Sequence, residues 1–298
     1  MVELPEVRVA LCVRNEERFI ESALDSLLKQ TYPNFSIYIY DSCSTDRTTE
    51  ICKAAAREFP QRIKGYHRHE EIIGGCDNFN FALHDAGKEP YFMWASGHDM
   101  WQPEMVARCV EALEAHPDRV LAFPKSDIID LQGQFMRFET EYAIHTEPFE
   151  RLTYEIDSPS YCAHVMGIFR LDALKKTNGI RRIPGPDRAL TAEALLQGAF
   201  VHVPERLFSL RLTGGDWKNG SYYQMARREA RNHITSNPVM IELVALLHPF
   251  WRFASYAKII WGASLFSTAE KMRLTGFLCK AFCRKIFLNW RRDDTISA

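Results

Sequence analysis

Several short stretches of this chain hold side chains able to do acid–base, anion-binding or metal chemistry. One is Ser96-Gly97-His98-Asp99, within "MWASGHDMW", placed directly after a run that reads as a buried strand. Such a His-Asp pair could ligate a divalent ion, could stay protonated and meet an anion, or could simply close a solvated turn. A second is Asp187 in Gly185-Pro186-Asp187-Arg188, where a carboxylate ahead of a helical pattern serves either as a general base or as a helix cap. A third is Asp41-Ser42 with Ser44-Thr45-Asp46 just beyond it: ligand acceptors in one reading, turn and cap chemistry in the other. Finally, Arg211 could grip phosphate oxygens in a bidentate way, and the following Gly214-Gly215 could form a loop that closes over a ligand.

These residues need elements to hold them. Val7 to Val13 and Phe35 to Tyr40 are short and β-rich, and between them Phe19, Ile20, Ala23, Leu24, Leu27 and Leu28 recur at helical spacing. That is a βαβ unit, which favours a parallel sheet with a right-handed crossover. A helix from Thr48 to Phe59, a strand near Ile63 to His67, a helix from Asn78 to Ala86 and a strand from Pro90 to Ala95 continue the alternation. A doubly wound α/β sheet follows, with ligands expected beyond the carboxyl ends of its strands, where Asp41 and the Ser96 to Asp99 segment share one rim.

Further along, Val120 to Pro124 reads as a strand, Glu139 to Ile156 as an irregular lid or acceptor-facing region, and Arg188 to Gln197 as a helix. Trp94 is expected in the core and Trp101 at the border of the pocket. Glu193 reads as a surface residue, and His67 and His164, which lack a partner at diagnostic spacing, as structural. Near Trp217 the pattern changes to helices rich in aromatic and basic residues, dividing the chain into residues 1–217 and a helical region, 218–298. In the last helix Phe277, Leu278, Ala281, Phe282, Ile286 and Trp290 form an apolar stripe, and residues 251–298 carry nine Lys/Arg against three Asp/Glu. That stripe either packs on the chain's own domain or lies on an anionic membrane surface.

The 298 residues hold 37 Lys/Arg against 38 Asp/Glu, so the chain as a whole lacks the basic footprint of a nucleic-acid binder. None of the eight cysteines forms a CxxC or a Cys/His cluster of structural-zinc spacing, so reduced, mostly buried thiols are expected. The first residues carry no export signal, and no run of eighteen apolar residues occurs. The expected location is cytoplasmic, with peripheral contact on the inner face of the cell membrane as the extension of the basic tail.

The order of the blocks "VALCVRNEERFIESALDSLLKQTYPNFSIYIYDSCSTDRTTEI", "GGCDNFNFAL", "YFMWASGHDMWQP" and "GPDRAL" resembles the family 2 glycosyltransferases over roughly residues 7–213. The resemblance implies a GT-A type doubly wound, mainly parallel sheet flanked by helices, with a C-terminal helical extension. It implies sugar transfer with inversion, by single displacement, from a nucleotide-diphosphate sugar, UDP- or dTDP-linked, to a hydroxyl of a glycan or lipid-linked glycan. The setting it implies is bacterial surface polysaccharide assembly. Asp187 falls at the family's general base, with Pro186 replacing the usual preceding acid. Val13, Asn15, Asp41, Ser42, Asn78, Ser96, Gly97, Asp99 and Arg211 fall at donor-binding positions, with Asn80 beside Asn78, and His98 with Asp99 falls at the metal site for Mn²⁺ or Mg²⁺. Ser96 and His98 stand where relatives carry carboxylates, and Thr213 where they often carry a histidine. Metal-independent operation is the alternative for the ion. For the whole chain, one alternative is a catalytically silent nucleotide-sugar binding or assembly module. A nucleotidyltransferase is the weaker one, because the first block lacks that class's glycine-rich basic loop.

Overall fold

A computed structural model describes residues 4–158, 162–213, 226–227 and 230–293. The boundary near Trp217 and the Gly214-Gly215 loop lie outside these residues. Strand β1 (Val7–Val13) is buried along its whole length, as a central parallel strand covered on both faces must be. Its odd-numbered residues Val7, Val9, Leu11 and Val13 enter one core and its even-numbered Ala10 and Cys12 another, the two-residue period of a strand. Helices α1 (Ile20–Leu28), α2 (Thr48–Glu58) and α4 (Met105–Ala115) cover the first face. Helix α3 (Gly75–Asp85), the short α6 (Leu171–Leu174) and α7 (Pro186–Leu195) cover the second.

The sheet runs β3 (Ile63–Arg68), β2 (Phe35–Asp41), β1, β4 (Tyr91–Ser96), β8 (Ile168–Arg170), β6 (Arg119–Ile129), β9 (Ala199–Arg211), β5 (Met100–Trp101), with β7 (Phe135–Phe138) beside β6. The β3-β2-β1-β4 half is parallel. β8 runs antiparallel to both neighbours, β6 and β9 run parallel, and β5 is antiparallel to β9, so the sheet is mixed. Chain order reverses direction at β1, the topological switch point where ligands of such sheets gather. Register fixes the rim: Val13 pairs with Asp41 and Cys12 with Ser96, so three strand ends finish at one level.

Several expectations are corrected. The stretch 139–156 is not irregular throughout: α5 (Pro148–Asp157) begins with proline at its first turn and buries Leu152 and Ile156. Proline suits that position because its missing N–H would be unpaired there anyway. Trp101 packs against Phe208 inside the core instead of bordering a pocket. Glu193 is buried, accepts from the Asn178 backbone N–H at 2.7 Å and pairs with Arg181 at 2.8 Å.

Two long helices close the described chain, α8 (Pro238–Gly262) and α9 (Thr268–Asp293). The Asn237 side chain caps α8 by accepting from the N–H groups of Val239 and Met240. The α9 stripe turns inward: Leu274 and Leu278 join Tyr256, Ile259 and Ile260 of α8 in a core shared with α5 and α7. The Ile286 and Trp290 side chains lie outside the described ones. Among the described residues, an apolar face stays exposed on α8, where Val239, Leu243 and Leu246 recur at helical spacing and Phe250, beyond them, packs against Phe282 of α9.

Candidate active site

A cavity of about 290 Å³ opens at the strand-end rim. Val13 and Arg14 line it from the end of β1, Ser42 from beyond β2, Asn78 from α3, Ser96 from the end of β4, His98 from beyond it, and Asp187 from the first turn of α7. Val165, Met166 and Ile180 supply apolar wall opposite. Of the sequence-derived set, Val13, Ser42, Asn78, Ser96, His98 and Asp187 therefore meet in one place. The thiols of Cys12 and Cys76 also face it, but burial raises both pKa values, that of Cys76 to about 12, so neither is a thiolate nucleophile at neutral pH.

The other residues shape the rim from behind. Asp41 is fully buried, and its carboxylate accepts from Ser44 N–H (2.9 Å) and Oγ (2.6 Å), Thr49 Oγ1 (2.6 Å) and Tyr66 Oη (2.9 Å). Burial alone would raise its pKa; these donors outweigh that and hold it below the usual carboxylate value. Oδ1 is thus spent on the β2–α2 loop and Oδ2 on α2 and β3, and Asp41 lies behind the cavity lining. Asp46 caps α2 by accepting from Thr48 N–H at 2.9 Å. Asn15, in the left-handed region at φ 53°, latches that loop by accepting from Thr45 N–H at 2.9 Å. Ser42 lines the cavity, while its hydroxyl donates to the Ile73 carbonyl and accepts from the Ile73 N–H.

Asn78 is likewise held from behind, donating to the Tyr40 carbonyl at 2.9 Å and facing His69 Nε2 at 3.0 Å. Asn80 grips the Ile180 backbone through both its amide atoms, at 2.7 and 2.8 Å, and so positions the cavity wall. At Gly97 an added Cβ would lie 2.7 Å from Glu16 Cγ and 3.0 Å from Val13 Cγ1, so glycine lets the β1 and β4 loops touch.

The His-Asp pair separates into two roles. Asp99 is buried, accepting the Ser96 hydroxyl and the Arg211 N–H (2.8 Å), and burial raises its pKa against those hydrogen bonds. His98 faces the cavity, with Nδ1 2.9 Å from Glu16 Oε1. Burial would lower the His98 pKa, but the charges of Asp99 and Glu16 and the Glu16 hydrogen bond outweigh it, favouring imidazolium. Glu16 is the partner that sequence reasoning missed; it lies in the quoted Val13-Arg14-Asn15-Glu16 loop, yet no spacing rule links it to a residue 82 positions away.

Arg211 is bound within the protein. Its Nε donates to the His98 carbonyl (2.7 Å), one Nη to the Asp130 carbonyl (3.0 Å) and the other to Met100 Sδ (3.4 Å). The guanidinium thus braces the His98 loop from behind.

Among the described residues the rim does not gather three His, Cys, Asp or Glu ligand atoms, and Asp99 spends both oxygens on the protein. It therefore builds no all-protein metal cage. Glu16 lines the cavity and can contact an ion shared with a phosphate-bearing ligand, the way Mg²⁺-type ions are commonly held, while His98 can do so only as the neutral imidazole.

The model of Glycosyl transferase family 2 matches residues 8–177. The chain belongs to this family. An uncharacterised glycosyltransferase of Nostoc sp. is 30% identical over 125 residues, 42% of this chain and 38% of that relative's length. S. aureus TarS in complex with UDP-GlcNAc is similar in fold, with a TM-score of 0.58 at 16% identity, covering 97% of this chain and 92% of that one. The mannosyltransferase PcManGT from Pyrobaculum calidifontis, in complex with GDP-Man and Mn²⁺, has a TM-score of 0.54 at 16% identity over 96% of this chain and 88% of its own. These likenesses show the GT-A fold for this family 2 chain.

Proposed function

We propose that this family 2 glycosyltransferase moves a sugar from a nucleotide-diphosphate donor, UDP- or dTDP-linked, to a hydroxyl of a glycan or lipid-linked glycan, with inversion. The observation that carries the reading is that Asp187 and His98 open into one cavity at the switch point of the sheet. Asp187 removes the acceptor hydroxyl's proton as that oxygen attacks the anomeric carbon, and the bond to the diphosphate breaks in the same displacement. His98, whose pKa Asp99 and Glu16 raise, stabilises in its protonated form the negative charge that grows on the leaving diphosphate, with Arg14 at the same mouth. A divalent ion, when bound with the donor, would add Lewis-acid stabilisation to the same oxygens beside His98 and Glu16. Ser96 and Gly97 shape the floor beneath the phosphates, and Val13 and Ser42 border the nucleoside.

The setting we propose is surface polysaccharide assembly at the inner face of a bacterial membrane. No described helix is long and apolar enough to cross a membrane. The exposed α8 face, with basic Lys280 and Arg284 exposed on α9, suits adsorption to an anionic bilayer. A panel of nucleotide-sugars, assayed for binding and for transfer to lipid-linked and free glycans with Mn²⁺ or with chelator, tests the reading. Binding without transfer to any acceptor would replace it with the silent binding module.

A further inference from the structure

Away from the donor cavity, three groups that bind transition metals meet in the interior behind α7. They are Glu155 of α5, Cys162, and His164 of the 3₁₀ turn Ala163–Met166, all buried. Cys162 Sγ lies 3.6 Å from His164 Nε2, and that nitrogen lies 3.5 Å from Glu155 Oε2. No other three His, Cys, Asp or Glu ligand atoms among the described residues gather within 4.8 Å of one another. The linear sequence hides this cluster, since α5 brings the glutamate to a Cys-x-His that carries no diagnostic spacing of its own.

Three features distinguish it from an ordinary buried ion pair. Glu155 Oε1 accepts from Thr191 Oγ1 at 2.7 Å and faces Arg188 at 3.8 Å, whereas Oε2, buried and without a well-formed hydrogen bond among the described residues, is turned to His164 Nε2 at 3.5 Å. One oxygen is fixed by its surroundings and the other is presented to the cluster, the arrangement that orients a ligating carboxylate. Next, His164 Nε2 carries at most one proton but faces both the sulfur and Oε2, so it cannot satisfy both. Last, zinc at about 2.3 Å from sulfur and about 2.0 Å from nitrogen and oxygen, at tetrahedral angles, requires edges of about 3.5 Å (S···N) and about 3.3 Å (N···O). The two observed edges match within a few tenths of an ångström.

We propose that Glu155, Cys162 and His164 form a structural zinc site. A mixed thiolate, imidazole and carboxylate set suits zinc better than Mg²⁺ or Mn²⁺. Water takes the fourth position, and binding displaces the protons of the thiol and the imidazole. The ion ties the 3₁₀ turn, whose Val165 and Met166 line the donor cavity, to α5 and α7. Thr191, whose one hydroxyl proton goes to Glu155, sits on α7 with its Oγ1 3.1 Å from the Asp187 carbonyl, so the site is anchored to the turn that presents Asp187. The zinc site itself does not depend on Asp187 being the base.

The full chain, stripped with chelator and dialysed, is titrated with Zn²⁺ and with Co²⁺, and metal content is measured by plasma mass spectrometry. Expected are about one tightly held ion per chain, a rise in thermal midpoint on adding Zn²⁺, and a thiolate-to-cobalt charge-transfer band. Cys162→Ser and Glu155→Gln should abolish the band or weaken uptake by at least about tenfold, as loss of a ligand does. The exposed Cys279 and Cys283 are the control, because they too can bind metal. Uptake lost in Cys279→Ser/Cys283→Ser but kept in Cys162→Ser would overturn the assignment. So would wild type with intact far-UV dichroism that binds no Zn²⁺, which would leave a metal-free imidazolium pair.

Discussion

Replacing Arg211 by alanine separates a strut from a diphosphate clamp. The side chain is 6% exposed, and its donors reach two backbone carbonyls, of His98 and Asp130. Removing it leaves both carbonyls without these charged donors, and hydrogen bonds to charged groups are worth about 1.5–3 kcal/mol each, so the expected loss is about 3–6 kcal/mol. The Arg211 N–H to Asp99 is main-chain and survives the change. For a domain of this size each kcal/mol moves Tm by roughly 2–4 °C, so the midpoint should fall by about 10 °C in the absence of any nucleotide. Urea unfolding followed by tryptophan fluorescence and far-UV dichroism measures this directly. Lysine, a single point donor, should recover less than half of the loss. A ligand-free protein that loses under about 1 kcal/mol, coupled with a large fall in donor affinity, would refute the strut and restore the clamp.

Asp41 has a lowered pKa, so its contribution to stability is complete above its unfolded value of 3.8 and is lost as pH falls through the folded value. Asp41→Asn should therefore weaken the dependence of the urea midpoint on pH between about 5 and 2; an unchanged acid limb would contradict it. Gly97→Ala must push Glu16 away from His98, and a cost of about 1–3 kcal/mol together with weaker donor binding is expected by calorimetry. Leu243→Glu combined with Leu246→Glu should abolish flotation with anionic liposomes while leaving the fold intact, as both side chains are exposed. Deleting residues 270–298 is the harsher comparison, because it also removes Leu274 and Leu278 from the shared core.

The parallel half of the fold was legible because β1 and β2 are short apolar runs flanking a helix of clear period, and register then follows from burial on both faces. β8 was not foreseen: three residues, antiparallel to both neighbours, carry no pattern a sequence window can detect. The cavity's location was readable from strand ends, and so were Asp187 and His98 as the groups that face it. What the sequence hid was direction. Asp41, Asp99 and Arg211 sit at the expected positions, yet hydrogen bonds to Thr49, Ser96 and the His98 carbonyl turn them inward. Such bonds join residues far apart or depend on loop shape, and no periodicity reports them. The exposed face of α8 was hidden for a related reason: its apolar residues occur nearly all round, and only packing decides which of them stay outside.

The most direct test of the central claim is a single-turnover comparison of wild type and Asp187→Asn, with the donor that wild type turns over and with product stereochemistry read by nuclear magnetic resonance. Wild type should give the inverted linkage, and Asp187→Asn should bind donor within about threefold of wild type while transferring sugar about 10²–10⁴-fold more slowly. An Asp187→Asn enzyme that transfers at the wild-type rate, or a product that retains the donor's configuration, would contradict the assignment of Asp187 as the base of an inverting displacement.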